Sequence, residues 1–596
     1  MPRISISRSR FRAALALAAA ALAAWAAMPG SVPGETRTGT LNVVWQTRGT
    51  ENALAAVNLF LVDARGDATE LDATHADLEP FGGMLRLNGR RVSVTGDLAP
   101  AGAGRAVPRL RVHAIQPLDG PRLSVSYVNQ HGPRTYVTLL CRFPNMAAAD
   151  PHPASVYEKW MGSAYPGLEH YWRESSEDRV DLTTQVVGPF VLPRASGDYM
   201  NSSGTANLGM LIQDCTGAAD ASVDFTQYAG INMQFNSPLD NSSWGGSWNL
   251  TIDGQTRRFA TTWMASWATQ STYAHETGHS LGLPHSSGPY DATYDSRWDV
   301  MSGGGSTDAG TRVAPHTIAF HKDLLGWIPA ARKYVLATSG TATLDLVRDA
   351  VPTSAGYQMV QIQTGTGTGT FYTVEARRYA GYDAVGRIPG EAVVIHRVNL
   401  NDDVPAKVVD PDNNGNPNDA GAMWVPGETF TDFQNGVRVR VLEATADGFR
   451  VEVSTEGNVT VTSDAVLAPG MMGAPYAFQL AASNAEAGIW SVSAGQLPKG
   501  LTLVSTGRIE GTPAKAGSYA FTVLVTTPNG FGKRDVRIEV AEPQLAQDAV
   551  VNHLLGGGTL TQAQSAYLDL QGNANGRLDV GDVRAWLLAR NLPAGQ

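Results

Sequence analysis

The chain has 596 residues and a formal net charge of −10, with charged residues at 17% and hydrophobic residues at 43%. That length calls for several domains, each able to bury a core. An acidic balance with no dense Lys/Arg run argues against a nucleic-acid binder, which needs a basic stripe. Two cysteines exclude a disulfide-knit scaffold and an all-cysteine metal site.

The N-terminus reads as a targeting segment. Arg3, Arg8, Arg10 and Arg12 precede an apolar run from Ala13 to Ala27, and Ala24-Trp25-Ala26 is an A-x-A cleavage site. The run is shorter than the roughly 20 residues of a spanning helix. It predicts a signal peptide over 1–27 and a secreted protein in an oxidising compartment. No later stretch is long and apolar enough to span a membrane.

Residues 28–130 read as a β-rich N-terminal unit or pro-segment. Leu41 and Val43, Val92 and Val94, and Leu110 and Val112 alternate with polar neighbours, and Asn88-Gly89 and Gly96-Asp97 mark turns. Residues 131–335 change texture to α+β. Tyr136 to Leu140 is strand-like, and helices are expected near 155–173, 205–220, 270–282 and 315–326. Residues 336–457 return to strands and suggest a β-sandwich, with Val437, Val439 and Val441 facing Phe449, Val451 and Val453 across an Asp447-Gly448 turn. Residues 458–543 form a second short-stranded unit, and the tail, 544–596, switches to helical spacing around a Gly/Asn/Asp loop.

The densest chemistry lies in His275-Glu276-Thr277-Gly278-His279-Ser280-Leu281-Gly282-Leu283-Pro284-His285. His275 and His279 are four residues apart, so on a helix they share one face at the spacing that lets two imidazoles reach one ion. Glu276 is placed to take a proton from water without ligating the metal. A continuing helix would carry residue 285 away. Gly282 can end it and turn the chain, Pro284 stiffens the return, and His285 completes a three-histidine set. Three neutral imidazoles with an open fourth position suit Zn²⁺.

This segment resembles the metzincin zinc metallopeptidases, whose extended motif is H-E-x-x-H-x-x-G-x-x-H. Trp298-Asp299-Val300-Met301-Ser302 is similar to their Met-turn, so the resemblance implies that Met301 packs beneath the metal. Some members carry a Tyr ligand two residues after the Met. Gly303 stands there in this chain, so no tyrosine ligand is expected. Tyr171-Trp172-Arg173-Glu174, Gln213-Asp214-Cys215 and His321-Lys322-Asp323-Leu324-Leu325-Gly326-Trp327 resemble the secreted bacterial immune inhibitor A type, with the gametolysin type a near neighbour.

Cys141 and Cys215 are expected to pair in an exported protein; the other reading makes one of them a zinc latch. No cysteine lies between residues 28 and 125, where a pro-segment latch would sit, so a pro-segment would have to inhibit by another group or by occlusion. Asp410, Asp412 and Asn414 open a calcium-like loop, D-x-D-x-N-G, that Gly421 fails to close with an acid. Trp490-Ser491-Val492-Ser493, Leu497-Pro498-Lys499-Gly500-Leu501 and Gly507-Arg508-Ile509-Glu510-Gly511-Thr512-Pro513 resemble the immunoglobulin-like domains of secreted bacterial proteins. In the tail, oxygen side chains recur from Gln571 through Asn573, Asn575, Asp579 and Asp582 with Gly576 at the sixth position, which is calcium-loop spacing and looks like one half of a dockerin. Asp569 could substitute for Gln571.

The whole reads as a secreted, multidomain zinc endopeptidase. Protein or peptide substrates, one catalytic Zn²⁺ and a possible Ca²⁺ are expected, with Glu276 as general base. The C-terminal modules are expected to bind a surface, a polysaccharide or a partner protein. The competing reading is a non-catalytic adhesion or binding protein on a degenerate peptidase fold.

Overall fold

The computed structural model describes residues 34–590, apart from 50–55, 82, 100–106, 119–129, 147–150, 202–203, 291, 337–339, 365–368, 434, 456–458, 484, 486 and 528–529. The segment read as a signal peptide lies outside the described residues. The protein is multidomain and mostly β-sheet, with several sheets and short helices. Two compact units form. The first is built on residues up to Trp327 with Gly381–Ile388 and Asn399–Lys407, the second on Ile328–Ala380, Pro389–Val398 and residues from Val408. Among the described residues no helix is long and apolar enough to cross a membrane.

The first unit is organised by one ten-stranded sheet. Its strands are β1 (Glu35–Arg48), β2 (Ala56–Val62), β3 (Ala68–Asp72), β4 (Arg91–Leu98), β5 (Arg109–Pro117), β6 (Gly132–Arg142), β7 (Val180–Val191), β8 (Gly230–Phe235), β9 (Ser242–Ile252) and β10 (Gln255–Met264). They run in the order β2-β3-β5-β4-β1-β9-β10-β8-β6-β7, and β2 also pairs with β1. The first five strands therefore close on themselves as a small barrel. Its alternating residues point inward as their spacing predicts: Leu41, Val43, Val92, Val94 and Leu110 are all fully buried. The β-rich unit expected over 28–130 shares this sheet with strands of 131–335 rather than standing apart. The reason is the length of β1, whose fourteen residues outrun the barrel and offer Val44–Arg48 to β9.

In the remaining half β6, β7, β8 and β10 are mutually parallel, and β9 runs antiparallel between β10 and β1. Tyr136–Cys141 is buried without alternation, as befits a parallel strand covered on both faces. The helix expected over 155–173 is two, Ala154–Met161 and Leu168–Ser175. Gly162 ends the first, and Pro166, which has no N–H to give, stands in the break. The other expected helices form over Leu208–Ala219, Gln270–Leu281 and Ala319–Leu324.

In the second unit, Lys333–Leu336, Met359–Gln363, Thr370–Arg377 and Ala392–Asn399 make one sheet, and Thr341–Val347, Gly448–Ser454, Val437–Ala444 and Thr429–Asp432 another. Ile362, Val374, Ile395, Val439 and Val451 fill one core between them. The expected hairpin forms, with Val439 opposite Val453 and Val441 opposite Val451. Beyond it, two further sheets enclose Trp490, Ile509 and Phe521. The tail folds as helices Gln547–Leu554, Gln562–Gln571 and Val580–Ala589. It is not a separate body: Val550, Tyr567, Leu568, Val583 and Trp586 enter the same core as Trp490. About fifty residues bury only a marginal core by themselves.

Candidate metal centre

The helix Gln270–Leu281 carries the histidine motif. At its start the Thr269 N–H donates to the Thr272 hydroxyl at 3.1 Å, and Gly282 closes it in the left-handed region at φ 106°. The Gly282 N–H donates to the His279 carbonyl and the Leu283 N–H to the Gly278 carbonyl, both at 2.9 Å, which turns the chain back on itself. The turn delivers His285 to the helix face. Nε2 of His279 stands 3.0 Å from Nε2 of His275 and 3.0 Å from Nε2 of His285. Two imidazoles on one tetrahedral ion, each about 2.05 Å from it, would stand about 3.3 Å apart. The donor set therefore fits a single divalent cation.

The far ring nitrogens are fixed. Nδ1–H of His275 donates to the Val300 carbonyl at 2.6 Å, and Nδ1–H of His279 to the Leu283 carbonyl at 2.7 Å. Each bond selects the tautomer whose Nε2 lone pair is free for a metal. Burial pushes the His275 pKa down to about 4. Burial first, and then repulsion from neighbouring histidines (His285 and His275 for the one, His275 and His321 for the other), hold His279 and His285 well below the ordinary value. All three are neutral at neutral pH, which is the ligating form.

Glu276, next to the first histidine, is fully buried. Neither carboxyl oxygen has a hydrogen-bond partner among the described residues, and burial raises its pKa to about 8. The Thr47 hydroxyl approaches closely enough to moderate that rise without completing a hydrogen bond.

Met301 is buried, and its sulfur lies against Gly278 of the site helix. The turn that carries it is organised by Asp299. Asp299 accepts from the Met301 N–H (3.1 Å), Ser286 Oγ (2.6 Å) and Thr317 Oγ1 (2.9 Å), and pairs with Nδ1 of His321 at 2.9 Å. The same turn presents the Val300 carbonyl to His275. Spacing in the sequence gives Asp299 and His321 no role, since their meeting depends on the turn.

No tyrosine follows the Met, yet one reaches the centre. The Tyr294 ring packs edge-on against His275 and His285, with centroids 5.8 and 5.5 Å apart. Gly303 makes room for it: a Cβ there would stand 1.8 Å from the Tyr294 carbonyl oxygen. No local motif announces Tyr294.

Cys141 and Cys215 are joined as a disulfide, their Cα atoms 5.9 Å apart, so neither offers a thiol to serve as a latch. The carboxylates of Asp410 and Asp412 converge within 4.8 Å with that of Asp419. Asn414 turns its amide nitrogen toward Asp412 and Asp419 at 3.0 and 2.9 Å. In the tail, Asp582 accepts from the Asn573 and Asp579 N–H groups (3.0 and 2.8 Å), and Asp579 caps the last helix through Gly581 (2.7 Å). Asp569 accepts from the Asn575 and Gly576 N–H groups at 2.9 and 3.0 Å. The loop closes around Asp569 and not Gln571, with its carboxylates taken up by main-chain donors.

Residues 458–541 match the family model described as "Putative Ig domain". No curated protein matches the chain. Among solved structures, a Bacteroides fragilis protein titled a putative alpha-galactosidase is 26% identical over 14% of this chain and 18% of its own, with a TM-score of 0.13. A SusE-like surface located polysaccharide binding protein of Bacteroides thetaiotaomicron is 9% identical over 33% of this chain and 38% of its own, also at 0.13. The chain thus spans less than two thirds of the length of either.

Proposed function

We propose that the chain is a secreted zinc-dependent endopeptidase of metzincin-like type. One observation carries the reading: three buried imidazoles bring their Nε2 atoms together, two of them, His275 and His279, with the tautomer fixed by a carbonyl, and the buried Glu276 carboxyl follows the first of them in the helix. A zinc ion held by His275, His279 and His285 supplies Lewis acidity to a peptide carbonyl and lowers the pKa of water from about 15.7 toward about 7. Glu276 accepts the proton of the attacking water and hands it to the leaving amine. A raised pKa suits both transfers, since a carboxyl poised near neutrality can take a proton and return it. Asp299 and the carbonyls of Val300 and Leu283 hold the imidazoles in orientation. The immunoglobulin-like module and the helical tail supply attachment or targeting and no catalytic group.

The test is incubation with casein and a peptide library, with and without a zinc chelator, on the exported protein and on the same protein after limited proteolysis. Chelator-sensitive cleavage in either state is expected. One zinc per chain with no cleavage in both states would leave the adhesion-protein reading in its place.

A further inference from the structure

Gly245 of β9 faces the site helix: a Cβ there would stand 2.1 Å from the Glu276 carbonyl oxygen. Side chains alternate along a strand, so Trp244 and Trp248 point to the opposite face of the sheet, into the core they share with Leu208 and Leu211. On that face two hollows, of about 970 and about 250 Å³, open between the helix Leu208–Ala219 and the β2–β3 hairpin. Val107, Asn207 and Gly209 line both, so the two adjoin as one trench. Neither is lined by His275, His279, His285 or Glu276.

The larger hollow is polar and balanced in charge. Glu35, Asp63 and Asp67 line it against Arg37, Arg65 and Arg91. Arg37 pairs with Glu35 at 2.9 Å, and Arg65 with Asp63 and Asp67 at 3.3 Å each. That leaves no net charge to select an ion. Asn207, Gln213 and Asn249 line it as well. An amide side chain offers both donors and an acceptor, which matches the N–H and C=O groups of an extended polypeptide. Trp248 is 1% exposed, so it gives the hollow no open ring face for stacking.

The smaller hollow is acidic at one point. Asp240 lines it with Glu70, Arg109, Phe60 and Trp244. Arg109 is engaged by Glu70 at 3.6 Å and Asp72 at 3.3 Å, while Arg48 offsets only part of the Asp240 charge. Burial raises the Asp240 pKa. One of its oxygens accepts the Ala206 N–H at 3.2 Å, and the other has no hydrogen-bond partner among the described residues. A carboxylate so placed gains from a cationic donor. Phe60 and Trp244 supply apolar wall for the methylene stem that carries one, and the volume suits one side chain.

We propose that the trench is a polypeptide-binding site separate from the metal centre. It seats an extended segment of a second protein between Asn207–Gln213 and the β2–β3 hairpin, with a lysine or arginine side chain beside Asp240. The site does not depend on the metal or on the peptidase reading.

The test uses the full chain with zinc bound and Glu276→Ala as the parent, so that no probe is consumed. The probe is an end-blocked, fluorescent peptide of about ten Gly, Ser and Ala residues with one central Lys and a photo-crosslinking group. Its partner carries Nε-acetyl-lysine instead. Saturable binding is expected, with cross-links in residues 61–69 and 205–213. Acetylation of the probe, and Asp240→Asn in the protein, should each weaken binding at least about tenfold, as loss of a buried charge partner does. A second variant, Gly209→Leu, fills the trench where the hollows meet. A Cβ at 209 meets Trp248 at 3.4 Å and Asn207 Oδ1 at 3.6 Å, ordinary contact distances, so the fold should tolerate it and binding should fall by a similar factor. Equal affinity for the two probes, or unchanged affinity in both variants, would overturn the assignment. So would cross-links confined to other residues, or no saturable binding at about 1 mM probe.

Discussion

Replacing Asp299 by alanine should damage stability and metal affinity together. The carboxylate is fully buried and receives three neutral donors, from Met301, Ser286 and Thr317, besides its pairing with His321. Burial alone would raise its pKa. The charge and hydrogen bond of His321, with the bonds from Ser286 and Met301, instead hold it well below the usual carboxylate range. Each neutral hydrogen bond is worth about 1 kcal/mol net, and breaking a buried pair by removing one partner costs about 3–5 kcal/mol. At about 2–4 °C per kcal/mol for a unit of this size, the melting temperature should fall by about 6–20 °C. Because the same turn offers the Val300 carbonyl to His275, zinc affinity should drop about 10–100-fold, the usual cost of losing an orienting partner. Calorimetry and competition with a chelator measure the two effects. The wild type should also be acid-labile through this group. A carboxylate with a depressed folded pKa contributes stability above its unfolded value, about 3.9, and loses it as pH falls below that; the alanine variant should lack this part of the acid response. A melting point within about 2 °C of wild type, with zinc affinity within about threefold, would refute the assignment of Asp299 as the anchor of the turn.

Four further outcomes are expected. Glu276→Ala should keep one zinc per chain and lose at least about 100-fold in turnover, read on the casein-cleaving form by metal content and rate together; activity within tenfold of wild type would remove Glu276 from the proton transfer. His285→Ala should bind zinc much more weakly, and full occupancy at low free metal would show that the ligand set is different. Reduction of Cys141–Cys215, which spans 74 residues, should cost roughly 4 kcal/mol; denaturant unfolding with and without reductant checks this, and coincident curves would contradict it. Calcium titration of the full chain should show one weak site in the tail, on the order of 10⁻⁴ to 10⁻³ M, abolished by Asp579→Ala; chemical shifts at Asn573 and Asn575 unmoved by millimolar calcium would leave the loop as a hydrogen-bonded turn.

The sequence made the three-histidine cluster legible because its geometry is local. A helix fixes His275 against His279, and Gly282 with Pro284 fixes the return of His285. The β alternation at Leu41/Val43, Val92/Val94 and Val437/Val439/Val441 was equally readable, since one buried face per strand imposes a period of two. What was hidden depends on contacts far apart in the chain. Nothing near Trp45 indicates that its ring meets His279, 234 positions later by subtraction of the two residue numbers. Tyr294 reaches the site by a loop path and not a repeat. The union of the tail with the immunoglobulin-like core escaped for a related reason: helical spacing around Tyr567 and Trp586 shows that a face is apolar, not what covers it.

The closure of the first five strands determines how the N-terminal segment can leave. A barrel paired on itself from β1 to β2 keeps its own ladders when it detaches, so what must part is the short ladder from Val44–Gly246 to Arg48–Ser242 with a few flanking hydrogen bonds, among them Asn42–Asn249 and Gly49–Asn241. The departing piece behaves as a stopper drawn whole from a bottle, not as a thread pulled loose stitch by stitch. Such a joint has a sharp threshold, because partial withdrawal would expose both Trp45 and the β9 edge with nothing gained in return.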